Sequence, residues 1–215
     1  LTVNGKSVSD DQTYIVPKAT TGSGSSSGGY SHSHTWVDNY CNGCGQFKDT
    51  VVAAIGKKGY ETLEAAIDAA QSGDTVKLLG NETVSATVAV DKNLTLDLGG
   101  NTLTGTNCRA LHITSGKLEL TGTGTVKSTG IAVNSSVVRV GDNNGAARNV
   151  ELVIGKDVVI ESPNSYGVGA FGTATTEKLT IYGTIKSTAT TNESYDGCAV
   201  TTLGTDTTTP ATITI

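Results

Sequence analysis

Methionine is absent from the 215 residues, aromatic side chains make up only 5%, and charged residues only 16%. Each shortage excludes something. With a net charge of −5 the chain has no excess of basic residues from which to build a nucleic-acid face or a contact with an anionic membrane. There is no apolar run of about 18 residues, so no direct membrane insertion by a helix is expected. With two Phe and one Trp, a core must be assembled from small Val, Ile, Leu and Ala side chains. Without a methionine, Leu1 is not a natural start, and the sequence reads as a piece of a larger protein expected to continue beyond Ile215.

Threonine and glycine fill the space left by these shortages, at 35 and 27 residues. Threonine is β-branched and favours strands, whereas glycine serves tight corners. Together they point to many short strands and an all-β chain. Residues 1–29 read as a strand pair, 1–3 and 13–16 around an Asn4-Gly5 turn, followed by a Gly/Ser linker at 21–29. Residues 30–49 form a Cys/His module, and 50–215 the main body. One helix is expected, over about 61–72. Its apolar residues Leu63, Ala66, Ile67 and Ala70 lie on one face, Thr62 can cap the start and Gly73 the end.

From Thr75 onward the apolar period becomes two and the pattern repeats. One strand family comprises residues 94–98, 118–121, 150–154 and 179–182. A second comprises 103–104, 126–128, 160–162 and 185–187. A third comprises 111–113, 138–140, 168–170 and 198–200, with steps of 27, 30 and 30 residues. Three strands per repeat, separated by Gly/Asn/Ser corners, predict a three-sided solenoid, with coils over about 75–215.

Aligning the families gives outward columns whose members lie about 4.8 Å apart. In the first family Glu119 falls beside Glu151, with Asp97 nearby. Two carboxylates at that spacing suit a retaining glycosidase or, with Asp97, a hard cation such as calcium; two solvated side chains that splay apart are the plain alternative. In the second, Thr104, Lys127, Glu161 and Lys186 alternate in charge, which suits a ladder of weak ion pairs. In the third, the outward column is His112, Arg139, Gly169 and Ala199. His112 over Arg139 suits an acidic sugar or a phosphate, beside a shelf left by Gly169 and Ala199. Cys198 falls in the inward column of Leu111, Val138 and Val168, as a small core residue. It lies too far along the stack from Cys108 for a disulfide.

The densest chemistry is SHSHTWVDNYCNGCGQF, residues 31–47. Cys41-Asn42-Gly43-Cys44-Gly45 is a knuckle whose small residues let two thiolates converge on one ion. His32 and His34 complete a tetrahedral Cys₂His₂ set for structural zinc. A local Cys41–Cys44 disulfide is the alternative in an oxidising setting. A redox pair fits less well, because no βαβ context surrounds it.

Residues 60–105, YETLEAAIDAAQSGDTVKLLGNETVSATVAVDKNLTLDLGGNTLTG, resemble the opening of pectate-lyase-like β-helix proteins. Those begin with a helix of the type tLeeAidaA, then GDtv.L, then an nLtLdLgGntltg coil. The resemblance implies a right-handed single-stranded parallel β-helix with an N-terminal capping helix. The H-x-W…C-x-x-C-G segment resembles short spacers of large surface proteins of Gram-positive gut bacteria, which implies secretion or display on the cell surface. The expected function is a non-enzymatic structural or adhesive module with a polysaccharide or host glycan as partner. The alternatives are a polysaccharide lyase or glycoside hydrolase, and a subunit that stacks head-to-tail into filaments. Lyases of that resemblance carry a dense set of Asp ligands with an Arg or Lys base, and no such set is present; the Asp142-Asn143-Asn144 corner reads as a turn.

Overall fold

A computed structural model describes residues 2–3, 6–7, 33–132, 135–163, 165–188, 198–202 and 212–215. The chain divides into two compact units, residues 1–33 and 34–215. In the first, Thr2–Val3 pairs antiparallel with Lys6–Ser7, placing Val3 opposite Lys6. Residues 13–16 and the Gly/Ser tract lie outside the described residues.

The second unit is all-β apart from one short helix and contains three stacks of parallel strands. The largest sheet runs in the order Thr212–Thr214, Thr175–Ile181, Arg148–Ile154, Gly116–Thr121, Leu94–Asp97, Thr75–Leu78, Ala53–Ile55 and Lys58–Tyr60. A second holds Thr184–Ser187, Val158–Ser162, Gly124–Thr129, Thr102–Thr106 and Glu82–Val84. A third holds Val88–Val90, Leu111–Ile113, Ser136–Val140, Tyr166–Ala170 and Val200–Thr202. The chain visits the three sheets in the same rotation, round after round. Each round adds one strand to each sheet, parallel to the last. Alternate residues of all three sheets contribute to one hydrophobic cluster, in which Leu96, Leu103, Leu111, Leu118, Leu120 and Ile160 are almost fully enclosed. Alternation, not bulk, builds this core: each strand spends every second residue on it.

Asparagines tie successive rounds together at the corners. The Asn81 carbonyl oxygen accepts from the Thr102 amide at 2.8 Å, and that of Asn93 from Lys117 at 2.9 Å. The Asn101 amide donates to Leu78 O at 3.1 Å. At the edge of the largest sheet the hairpin Ala53–Ile55/Lys58–Tyr60 pairs antiparallel with Thr75–Leu78, so the backbone groups of that strand are not left open.

The helix spans Leu63–Ala69, with the Thr62 hydroxyl accepting from the Ala65 amide at 3.1 Å and Leu63, Ala66 and Ile67 buried. It is shorter than the expected 61–72. Ala70 turns extended, and the Asp74 carboxylate takes the Gln71 amide at 2.8 Å, which starts a turn before Gly73 is reached. The last carbonyls are satisfied by Lys92, whose Nζ donates to Ile67, Asp68 and Ala70, as a cation at a helix C-terminus should.

The registers confirm the second strand family throughout: Thr104 lies beside Lys127, Lys127 beside Glu161, and Glu161 beside Lys186. Two others differ from expectation, each by two residues. Leu118 pairs with Leu152, not Val150, and Val168 pairs with Val200, not Cys198. Cys198 is therefore not a core residue; it is exposed and precedes the strand.

Candidate functional site

The Cys/His segment folds as three two-residue strands, Trp36–Val37, Tyr40–Cys41 and Gln46–Phe47, paired antiparallel. Asp38 and Asn39 join the first two with φ of 51° and 63°. A two-residue hairpin needs positive φ at both positions, and Asp and Asn tolerate it. Gly45, at φ 74°, closes the next loop, its amide donating to Cys41 O at 2.8 Å. These two turns bring Cys44 back over Cys41. His34 lies beside them, its ring stacked on Trp36 at 4.6 Å.

The result is a group of three ligand atoms from His34, Cys41 and Cys44, all within 4.8 Å of one another, with Cys44 Sγ 3.4 Å from His34 Nδ1. Tetrahedral zinc–sulfur and zinc–nitrogen bonds set donors roughly 3–4 Å apart, so a small contraction would close the set on an ion. Desolvation and the adjacent Cys41 sulfur raise the Cys44 thiol above its ordinary range, against backbone hydrogen bonding that lowers it. Two neighbouring thiolates repel, and a divalent cation removes that penalty. His32 lies outside the described residues, so three of the four expected ligands are placed. Among the described residues no disulfide joins Cys41 to Cys44.

The glutamate pair does not assemble. The two-residue register difference puts Glu119 beside Val153 and Glu151 between Lys117 and Lys178. Each carboxylate then takes a lysine: Lys117–Glu119 at 3.3 Å and Lys178–Glu151 at 3.0 Å. Asp97 faces Lys77 at 3.8 Å, and its other oxygen accepts from the Gly99 amide at 2.9 Å. Neither a catalytic pair nor a calcium cage is formed; among the described residues the sulfur–imidazole group above is the one metal-competent cluster of three or more such side chains. The Asp142 corner is a turn, as expected. Its carboxylate caps the Asn143 amide at 2.7 Å and pairs with Arg148 at 2.9 Å.

His112 and Arg139 are register neighbours on the third sheet, as expected, with Gly169 next. Thr201 follows, not Ala199. The shelf is filled: the Arg139 guanidinium carbon lies over the Phe171 ring, 4.7 Å from its centroid, and that ring rests where a side chain at Gly169 would stand, 2.7 Å from an added Cβ. Burial pushes the His112 imidazole down, opposed by its hydrogen bond to Gly141 O at 2.8 Å; Arg139 lowers it further. Two residues escaped the sequence reading. Arg109 lies in the corner before Leu111, where the period-two pattern has no hold. Glu177 shares the inward parity of Leu179 and Ile181, a signal that was available, and is only 3% exposed. Burial pushes its carboxyl up, against a hydrogen bond from the Thr175 hydroxyl.

Comparison with protein-family models, curated proteins and solved structures gives no match to this chain.

Proposed function

We propose that the chain is a non-catalytic structural or adhesive module of a secreted or surface-displayed protein. In this reading it is a right-handed parallel β-helix whose first round is covered by the helix Leu63–Ala69, with zinc ordering the Cys/His segment. The carrying observation is the dispersal of the acids: Glu119, Glu151 and Asp97 each face a lysine and do not converge. Support for the architecture is the unvarying rotation of the chain through three parallel sheets that share one core. The apolar helix face belongs to that same core. The resemblance of residues 60–105 to pectate-lyase-like proteins and of the Cys/His segment to surface-protein spacers supports the location and the partner class, a polysaccharide or host glycan.

The test is incubation of the purified chain with plant, host and microbial polysaccharides, followed by product analysis. No cleavage above a heat-treated control is expected. Cleavage that disappears in Glu119→Gln or Glu151→Gln would overturn the reading in favour of a hydrolase or lyase.

A further inference from the structure

The chain has three arginines, and they are used in opposite ways. Arg148 is spent on the fold. Its Nε donates to Thr114 O at 2.7 Å, Nη1 to Asn144 O and Ala146 O, and Nη2 to Asp142 at 2.9 Å. Arg109 and Arg139 have no hydrogen-bond or ion-pair partner among the described residues. Moreover, Arg139 Nε and Nη2 and Arg109 Nε are shielded from solvent with no acceptor. A buried donor without a partner is costly, and more so on a charged group. Two cations that also repel each other make the cost larger, and the proximity of Arg139 is one reason the Arg109 guanidinium is held below its usual range, after burial itself.

The surroundings hold this arrangement in place. The Arg139 guanidinium sits over the Phe171 ring, its central carbon 4.7 Å from the centroid, and a guanidinium presents a planar fork of donors from which an oxyanion can accept two. The parallel register sets His112 beside Arg139, and the hydrogen bond to Gly141 O anchors its ring. Neither nearby carboxylate forms an ion pair with Arg109 or Arg139, although the Arg139 charge is felt by Glu177. Asp142 is engaged by Arg148, and Glu177 is buried beside Thr175.

We infer that Arg109, His112 and Arg139 form a binding site for an oxyanion on the outer face of the third sheet, with Arg139 on its Phe171 platform as the principal donor. A sugar carboxylate and a free sulfate or phosphate share the chemistry this site recognises. The inference does not depend on the non-catalytic reading, since an anion can be held with or without turnover.

The test uses the whole 215-residue chain, titrated at constant ionic strength with glucuronate, sulfate and inorganic phosphate. Calorimetry gives affinity, and NMR of the arginine Nε–H groups locates the ligand. Saturable binding that moves the Arg109 and Arg139 resonances, but not Arg148, is expected. Arg139→Gln and Arg109→Gln should each weaken it by about tenfold, while Lys127→Gln, on the second sheet, should leave it within about twofold. Tighter binding of glucuronate assigns the site to acidic sugars; tighter binding of sulfate or phosphate assigns it to a tetrahedral anion. Arg139→Lys keeps the charge and loses the planar fork, and serves if the Gln variants do not fold; it too should bind more weakly. No saturation by any of the three probes, or equal affinity in the Arg109→Gln/Arg139→Gln double variant, would overturn the inference.

Discussion

From Thr75 onward, order comes from columns of enclosed Leu, Ile and Val repeated in every round, with Leu103, Leu118, Leu120, Ile154 and Ile160 at 0% exposure. Between Trp36 and Phe47 the only buried side chain is Cys41. The stacked region is thus stabilised by area removed from water and by ladders that each new strand extends. The Cys/His segment has turns that fit its backbone but almost no core. It needs something else to fix its side chains, and the nearest candidate is an ion shared by His34, Cys41 and Cys44. The contrast is between stabilisation spread over many small contributions and a segment whose His34, Cys41 and Cys44 could hold a metal ion.

Four changes break or sharpen that contrast. The largest effect on global stability belongs to the core: Leu120→Ala should cost about 2–5 kcal/mol in chemical denaturation, whether or not a chelator is present. Next is the buried acid. Because the Glu177 carboxyl is raised in the fold, the stability it contributes is fully present below the ordinary glutamate range and is lost as pH rises through its folded value. Glu177→Gln should therefore be more stable than the wild type at pH 7, by on the order of 1 kcal/mol. That advantage should vanish in melts near pH 4, below the ordinary glutamate value. A smaller effect follows from Lys178→Ala, which removes the partner of Glu151 at an exposed site; it should cost less than about 1 kcal/mol, and less still at high salt. The smallest global effect should come from Cys41→Ser or a strong chelator. Either leaves the main unfolding transition in place, while Trp36 fluorescence reports loss of order around the stacked His34 ring.

The same contrast explains what was legible in the sequence. The period-two alternation disclosed which residues of each strand face the core, because a one-residue slip would turn every Leu and Val outward. A two-residue slip keeps the inward set inward. That is why Val150 could be mistaken for Leu152 as the partner of Leu118, and Cys198 for Val200 as the partner of Val168. The true register is set at the corners, and these differ in length from round to round. The 141–147 corner is held by the Asp142–Arg148 pair and by Arg148 bonds to three carbonyl groups, none of which follows a repeat. The error was small in sequence and decisive for function, since it moved Glu119 and Glu151 apart and onto separate lysines. The Cys/His group was legible for the opposite reason: its ligands are close in the chain, so short-range turn chemistry was enough to bring Cys41 and Cys44 together.

Hydrogen exchange followed by mass spectrometry on the intact chain, with and without a zinc chelator, measures both regions at once. The account predicts about one zinc per chain before chelation. After chelation, amides of residues 36–47 should lose protection while those of the strands from Leu94 to Ala170 keep theirs. A chain that carries no metal and exchanges identically in both conditions, or one whose stacked sheets open together with the Cys/His segment, would contradict it.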